Sequence, residues 1–217
     1  MRCFIALEPE SAWLETLEAA CGPLRARLSG WRWTRKEGRH LTLAFLGEIG
    51  EEGSAALEAA REAVRAATGF PAPEIRFDRL VLLPSRRKPR VLALGADRAS
   101  DGVRRVAAIR SRVGEALAGA ARSRGIANPD AEAGRPFLCH LSLARASAGP
   151  GRTGAPPFDA AAEFATMPVS AQAFARFQAV TLFRSVLGPG GARYEPLERA
   201  LLAPLAPYGA GREADAG

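Results

Sequence analysis

Short apolar runs, helical stripes and strand-like alternations succeed one another along this chain. Cys3 to Leu7 is an apolar run closed by Pro9, a strand pattern. From Ser11, at the position of an N-cap, Trp13, Leu14, Leu17, Cys21, Leu24 and Leu28 return at helical spacing, and Gly30 stops the helix. Trp31 to Trp33 and Arg39 to Leu46 read as extended, broken by Lys36-Glu37-Gly38 and ended by Gly47. Leu57, Ala60, Val64 and Ala67 share one face of a second helix, Ser54 to Thr68. Glu74 to Leu83 and Arg90 to Leu94 follow as strands around the loop Pro84 to Pro89, and a third helix spans Asp101 to Leu117. Gly119 to Arg135 reads as a loop, Pro136 to Ala144 as a strand, and Gly149 to Pro157 as an exposed loop. Phe174 to Val186 is a late strand that Tyr194 to Leu197 can pair with across Gly188-Pro189-Gly190-Gly191; residues after Pro207 are small, charged and expected to fray.

Helices mixed with hairpin-linked strands predict an α+β fold rather than a doubly wound parallel sheet. Two strands carry a matched pattern: His40-Leu41-Thr42-Leu43-Ala44 and His140-Leu141-Ser142-Leu143-Ala144. These are the only histidines in the chain. From its composition, a histidine would be followed by such a tetrad roughly a few times in ten thousand. The offset between the motifs, each after strand, helix and strand patterns, suggests two similar lobes, although the halves match poorly elsewhere.

Strand alternation puts His40 with Thr42, and His140 with Ser142, on one face, while Leu41, Leu43, Leu141 and Leu143 enter the core. A lone strand histidine is more often structural than catalytic, but a matched pair is a different observation. If the strands meet across a groove, two imidazoles and two hydroxyls line one small volume. Phosphodiester chemistry needs one group to accept the incoming proton and another to protonate the departing oxygen, and histidine suits both near neutral pH. The Thr42 and Ser142 hydroxyls can donate to the non-bridging oxygens. Arg135, Arg145 and Trp33 are candidate substrate-binding residues, weighed against solvated charge and core packing; Trp31 and the Arg86-Arg87-Lys88 loop are weaker candidates.

At 217 residues and 47% hydrophobic, the chain can bury a substantial core. Thirty Lys plus Arg against 23 Asp plus Glu give a net charge of +7, all arginine except Lys36 and Lys88. That excess suits an anionic partner such as nucleic acid, and equally a solvated surface. Three cysteines, Cys3, Cys21 and Cys139, lack metal-ligand spacing and argue for a reducing, cytoplasmic setting. No run has the length of a membrane span, and the opening apolar run is too short for a secretion signal. No metal is expected: Cys139 points away from His140 in a strand, which also disfavours it as a nucleophile. No Gly-rich phosphate loop carries the required Lys and Ser/Thr.

The segments His40 to Gly47 and Arg135 to Arg145 resemble the paired motifs of the two-histidine phosphoesterases, specifically the RNA 2′,3′-cyclic phosphodiesterases formerly called 2′-5′ RNA ligases. The likeness extends through Phe4 to Leu7, Trp33, Pro89 to Leu92, Leu182 to Leu187 and Tyr194. It implies a bilobal domain over residues 1–207, with two pseudo-symmetric antiparallel sheets lining a central cleft, helices outside and a flexible tail at 208–217. It further implies a monomeric enzyme without cofactor that opens a terminal 2′,3′-cyclic phosphate of RNA, including tRNA fragments, to a 2′-phosphomonoester, in some members with reversible 2′-5′ ligation. His40 would be the proton donor to the departing 3′ oxygen, His140 the base that activates water, and Thr42 and Ser142 the phosphate binders. Cys139 stands where relatives commonly have Pro, and Ser142 where Thr is frequent. The alternatives are a phosphodiesterase acting on a small cyclic nucleotide or an ADP-ribose-derived cyclic phosphate, and an RNA-binding protein without turnover.

Overall fold

The computed structural model describes residues 1–28, 30–131, 133–134, 136–146, 159–167, 174–188 and 191–204. The expected 149–157 loop, the tail after Pro207 and Arg135 lie outside them.

Among the described residues nine strands form two sheets whose strand pairings are antiparallel. The first contains β1 (Arg2–Pro9), β3 (Leu41–Glu48), β4 (Glu74–Ile75), β8 (Ala175–Gly188) and β9 (Gly191–Leu201), in the order β3-β1-β8-β4 with β9 also on β8. The second runs β2-β7-β6-β5, from β2 (Trp31–Trp33), β7 (His140–Ala146), β6 (Val91–Gly95) and β5 (Arg79–Leu83). The fold is α+β, with two sheets flanked by helices. Cys3 to Leu7 are all buried because β1 lies between β3 and β8 with both faces covered, so its pattern is a run rather than an alternation.

Helix α2 (Ala55–Arg65) packs against α3 (Asp101–Ser123) and against β8 and β9, while α3 also touches β3 and β4. Ser54 and Ser100 cap these helices by accepting from the amides of Leu57 and Val103. The start of α3 approaches β4 closely: a Cβ on Gly102 would lie 1.9 Å from the carbonyl oxygen of Glu74. On the other side, α1 (Ser11–Arg27) is tied to α4 (Ala160–Ala165) by the Arg27–Glu163 ion pair, and α4 packs by β5. No helix among the described residues is long and apolar enough to cross a membrane.

Several sequence expectations are corrected. Ser11 is the first helical residue, and Glu10 holds the N-cap position without a side-chain hydrogen bond. Glu74 to Leu83 is not one strand: β4 joins β8 in the first sheet and β5 joins β6 in the second, with Phe77 buried at the crossing. The third helix continues to Ser123, burying Ala120 and Ala121 beyond the expected end, because glycines at 114 and 119 weaken a helix without ending it. The motif strand begins at His140, so Pro136 to Cys139 precede it. The lobes are not sequence halves, since the chain passes repeatedly between the sheets.

Candidate active site

The first motif lies on β3, at one edge of the first sheet, and the second on β7, inside the second sheet; β3 and β7 touch where the sheets meet. Both carry a β-bulge at the same place. Opposite β1, Ala6 faces Thr42 and Ile5 faces Ala44, leaving Leu43 as the extra residue. Opposite β6, Ala93 faces Ser142 and Leu92 faces Ala144, leaving Leu143 extra. An extra residue inverts the alternation beyond it. Arg145, which regular alternation would turn away from Ser142, therefore enters the same cleft, and Phe45 does so in the first motif. The displaced carbonyls find new donors: Leu43 O accepts from Arg110 Nε at 3.1 Å, and Leu143 O from the Thr34 amide at 2.8 Å.

Each imidazole is fixed by the carbonyl two residues before it. Nδ1 lies 2.8 Å from Gly38 O in His40 and 2.9 Å from Leu138 O in His140. A carbonyl can only accept, so Nδ1 carries a proton in both rings and Nε2 is the atom left to exchange one. His40 and His140, with Thr42, Ser142 and Arg145, line one cleft of about 950 Å³. Among the described residues, neither motif hydroxyl has a hydrogen bond to the protein.

Aromatic rings surround the first imidazole. Phe4 lies 4.6 Å from the His40 ring centroid, Tyr194 meets it edge-on at 5.1 Å, and Phe183 stands at 6.3 Å. Burial in this box pushes the His40 pKa down to about 4, against the stabilising Gly38 carbonyl, and the positive fields of Arg145 and His140 add to the depression. That coupling also sets both histidines and Arg145 within electrostatic reach of one another.

Of the other candidates, Trp33 does not line the histidine cleft but an adjoining groove shared with Arg145 and Tyr194, and Arg25 lies over its ring at 5.3 Å. Arg39 is withdrawn from solvent and bound to Glu18, at 2.5 Å. Cys139 is buried beside the motif and its thiol is pushed up to about 12 by desolvation, which makes it a poor nucleophile. Among the described residues no three His, Cys, Asp or Glu side chains converge as a metal site. Sequence reasoning missed Phe4, Phe183 and Tyr194 as the walls around His40, and Arg2 and Arg32 at the cleft. Their only signal was strand alternation, which cannot tell a core face from a cleft face.

Residues 7–93, which hold the first motif, match the sequence profile described as LigT like phosphoesterase. TT0787 of Thermus thermophilus is similar at 27% identity and a TM-score of 0.63, over 93% of this chain and 97% of that one. E. coli LigT shares the fold: its phosphate complex aligns at 20% identity and a TM-score of 0.60, and its 3′-AMP complex at 21% and 0.58, each covering 93% of this chain and 96% of the other. No curated protein sequence matches significantly. The second motif lies outside the matched profile; His140 repeats the bulge and the Nδ1 anchor of His40 and lines the same cleft.

Proposed function

We propose that the protein hydrolyses the terminal 2′,3′-cyclic phosphate of RNA to a 2′-phosphomonoester by metal-independent acid/base catalysis. The observation that carries this reading is the pair of carbonyl-anchored imidazoles presenting Nε2 to one cleft, each two residues from a hydroxyl without a protein partner. His140 Nε2 takes a proton from water as the water oxygen bonds to phosphorus. The bond from phosphorus to O3′ breaks, and O3′ takes the proton held at His40 Nε2. Thr42 and Ser142 donate to the non-bridging oxygens, with Arg145 adding positive charge at the cleft. In the free protein His40 is neutral at pH 7, because desolvation and the neighbouring cations oppose its charge. A bound phosphodiester anion supplies the missing counter-charge, so His40 gains its proton as substrate enters. The 3′-AMP complex of E. coli LigT is in keeping with a nucleotide-sized ligand here.

The test is turnover of an oligoribonucleotide ending in a 2′,3′-cyclic phosphate, in excess chelator, with identification of the product isomer. A 2′-phosphate product with bell-shaped pH dependence supports the reading. A 3′-phosphate product means that the donor and base roles, or the orientation of the substrate, are the reverse of this reading, and strict dependence on an added metal replaces the mechanism.

A further inference from the structure

Past Arg145 and Tyr194 the histidine cleft continues into the adjoining groove, of about 310 Å³. Arg32, Arg145 and Tyr194 line both spaces; Arg35, Arg193 and Trp33 line only the second. Four guanidiniums thus face a groove with one carboxylate, Glu37. Several arginines elsewhere are matched, Arg61 with Glu52 and Glu58, Arg65 with Glu198, Arg124 with Glu62 and Arg176 with Glu74, so what marks the groove is that four guanidiniums share it with one carboxylate. Among the described residues Arg32, Arg35 and Arg145 form no ion pair, and Arg193 reaches only Glu195, at 3.4 Å. Arg32 and Arg145 are register partners on β2 and β7, so their charges are held side by side despite mutual repulsion. An anion relieves that repulsion, and guanidinium is the group that binds phosphate through two parallel hydrogen bonds.

We propose that this groove is a second phosphate subsite, which takes the phosphodiester on the 5′ side of the reacting nucleotide. The inference rests on the cyclic phosphodiesterase reading above. A 2′,3′-cyclic phosphate uses both lower ribose oxygens, so the strand can continue only from the 5′ oxygen. A nucleoside joining the two phosphates lies beside Tyr194, the ring common to both spaces. Arg32, Arg145 and Tyr194 line both spaces, so cleft and groove adjoin and consecutive phosphates of one strand can occupy them. The preferred substrate is therefore an RNA strand end rather than a cyclic mononucleotide.

The experiment compares kcat/KM of the full-length protein for adenosine 2′,3′-cyclic phosphate, its 5′-phosphorylated form, and a diadenosine dinucleotide ending in a 2′,3′-cyclic phosphate. The dinucleotide is expected to exceed the mononucleotide by about tenfold or more. Its logarithmic salt dependence is expected to be steeper by about 0.7 for the added phosphate contact. R35A, which alters the groove but not the histidine cleft, is expected to reduce the dinucleotide-to-mononucleotide ratio toward one. Equal kcat/KM for mononucleotide and dinucleotide, or a ratio unmoved by R35A, overturns the subsite while leaving the phosphodiesterase reading in place. The 5′-phosphorylated mononucleotide is expected to recover much of the advantage, since it carries the phosphate that the groove takes; no gain from the 5′ phosphate overturns phosphate as the recognised group. If no substrate turns over, the phosphodiesterase reading falls; equal affinity for 3′-AMP and a dinucleotide 3′-phosphate then overturns the subsite as well, and tighter dinucleotide binding supports it.

Discussion

Arg110, on α3, donates through Nε to the carbonyl oxygen of Leu43 at 3.1 Å, where the first motif strand bulges. Its guanidinium also lies 5.4 Å from the Phe137 ring, in the segment that leads to His140. One cation thereby braces the approaches to both motifs, acting as a positioning residue. R110M keeps the aliphatic stem but leaves the displaced carbonyl unpaired, at a cost of about 1–3 kcal/mol. The expected outcome is a lower Tm and kcat reduced about tenfold with KM little changed, partly restored in R110K. Unchanged kcat in R110M would contradict the bracing role.

The depressed pKa of His40 links stability to pH. Between its unfolded value of about 6.5 and its folded value of about 4, the unfolded chain binds a proton that the folded chain does not. Stability therefore falls as pH drops through this window and levels off below it, by on the order of 3 kcal/mol in all. H40Q removes the titration, so denaturant unfolding from pH 7 to pH 4 should show a smaller loss in the variant than in wild type. Inorganic phosphate should raise the pKa of the His40 ring, read from its NMR titration. A ring that titrates near 6.5 without ligand would contradict the desolvation argument.

Close packing at the start of α3 gives a stability test independent of the site. A methyl at Gly102 meets the Glu74 backbone, which has no flexible end to give way. G102A should cost at least about 2 kcal/mol by thermal unfolding. G114A, in the same helix with open space at its Cβ, should instead stabilise by up to about 1 kcal/mol. Similar shifts in both variants would contradict the close approach of α3 to β4.

The histidines, the motif hydroxyls and the α+β class were legible because each rests on local periodicity. Leu41 and Leu141 are buried, as alternation requires, while Thr42 and Ser142 line the cleft. Arg145 was legible as a candidate but not in its direction, because the bulge at Leu143 depends on pairing with β6 and leaves no local signature. The split of Glu74 to Leu83 between sheets was equally hidden: β5 pairs locally with β6 across the Pro84 to Pro89 loop, but β4 finds its partner in β8, about a hundred residues away, which no window of sequence reveals. Tyr194 and Phe183 reach His40 only through the β8–β9 hairpin, whose pairing was legible but whose placement beside β1 was not.

The central claim is that both imidazoles act on a single phosphorus atom, and a crystal structure with a nucleoside vanadate mimicking pentacoordinate phosphorus measures it most directly. The account predicts Nε2 of His40 and Nε2 of His140 each about 3 Å from an oxygen of the same vanadium, on opposite sides, with Thr42 and Ser142 on the equatorial oxygens. Vanadate held by one histidine alone, with the other turned away from it, would contradict the account.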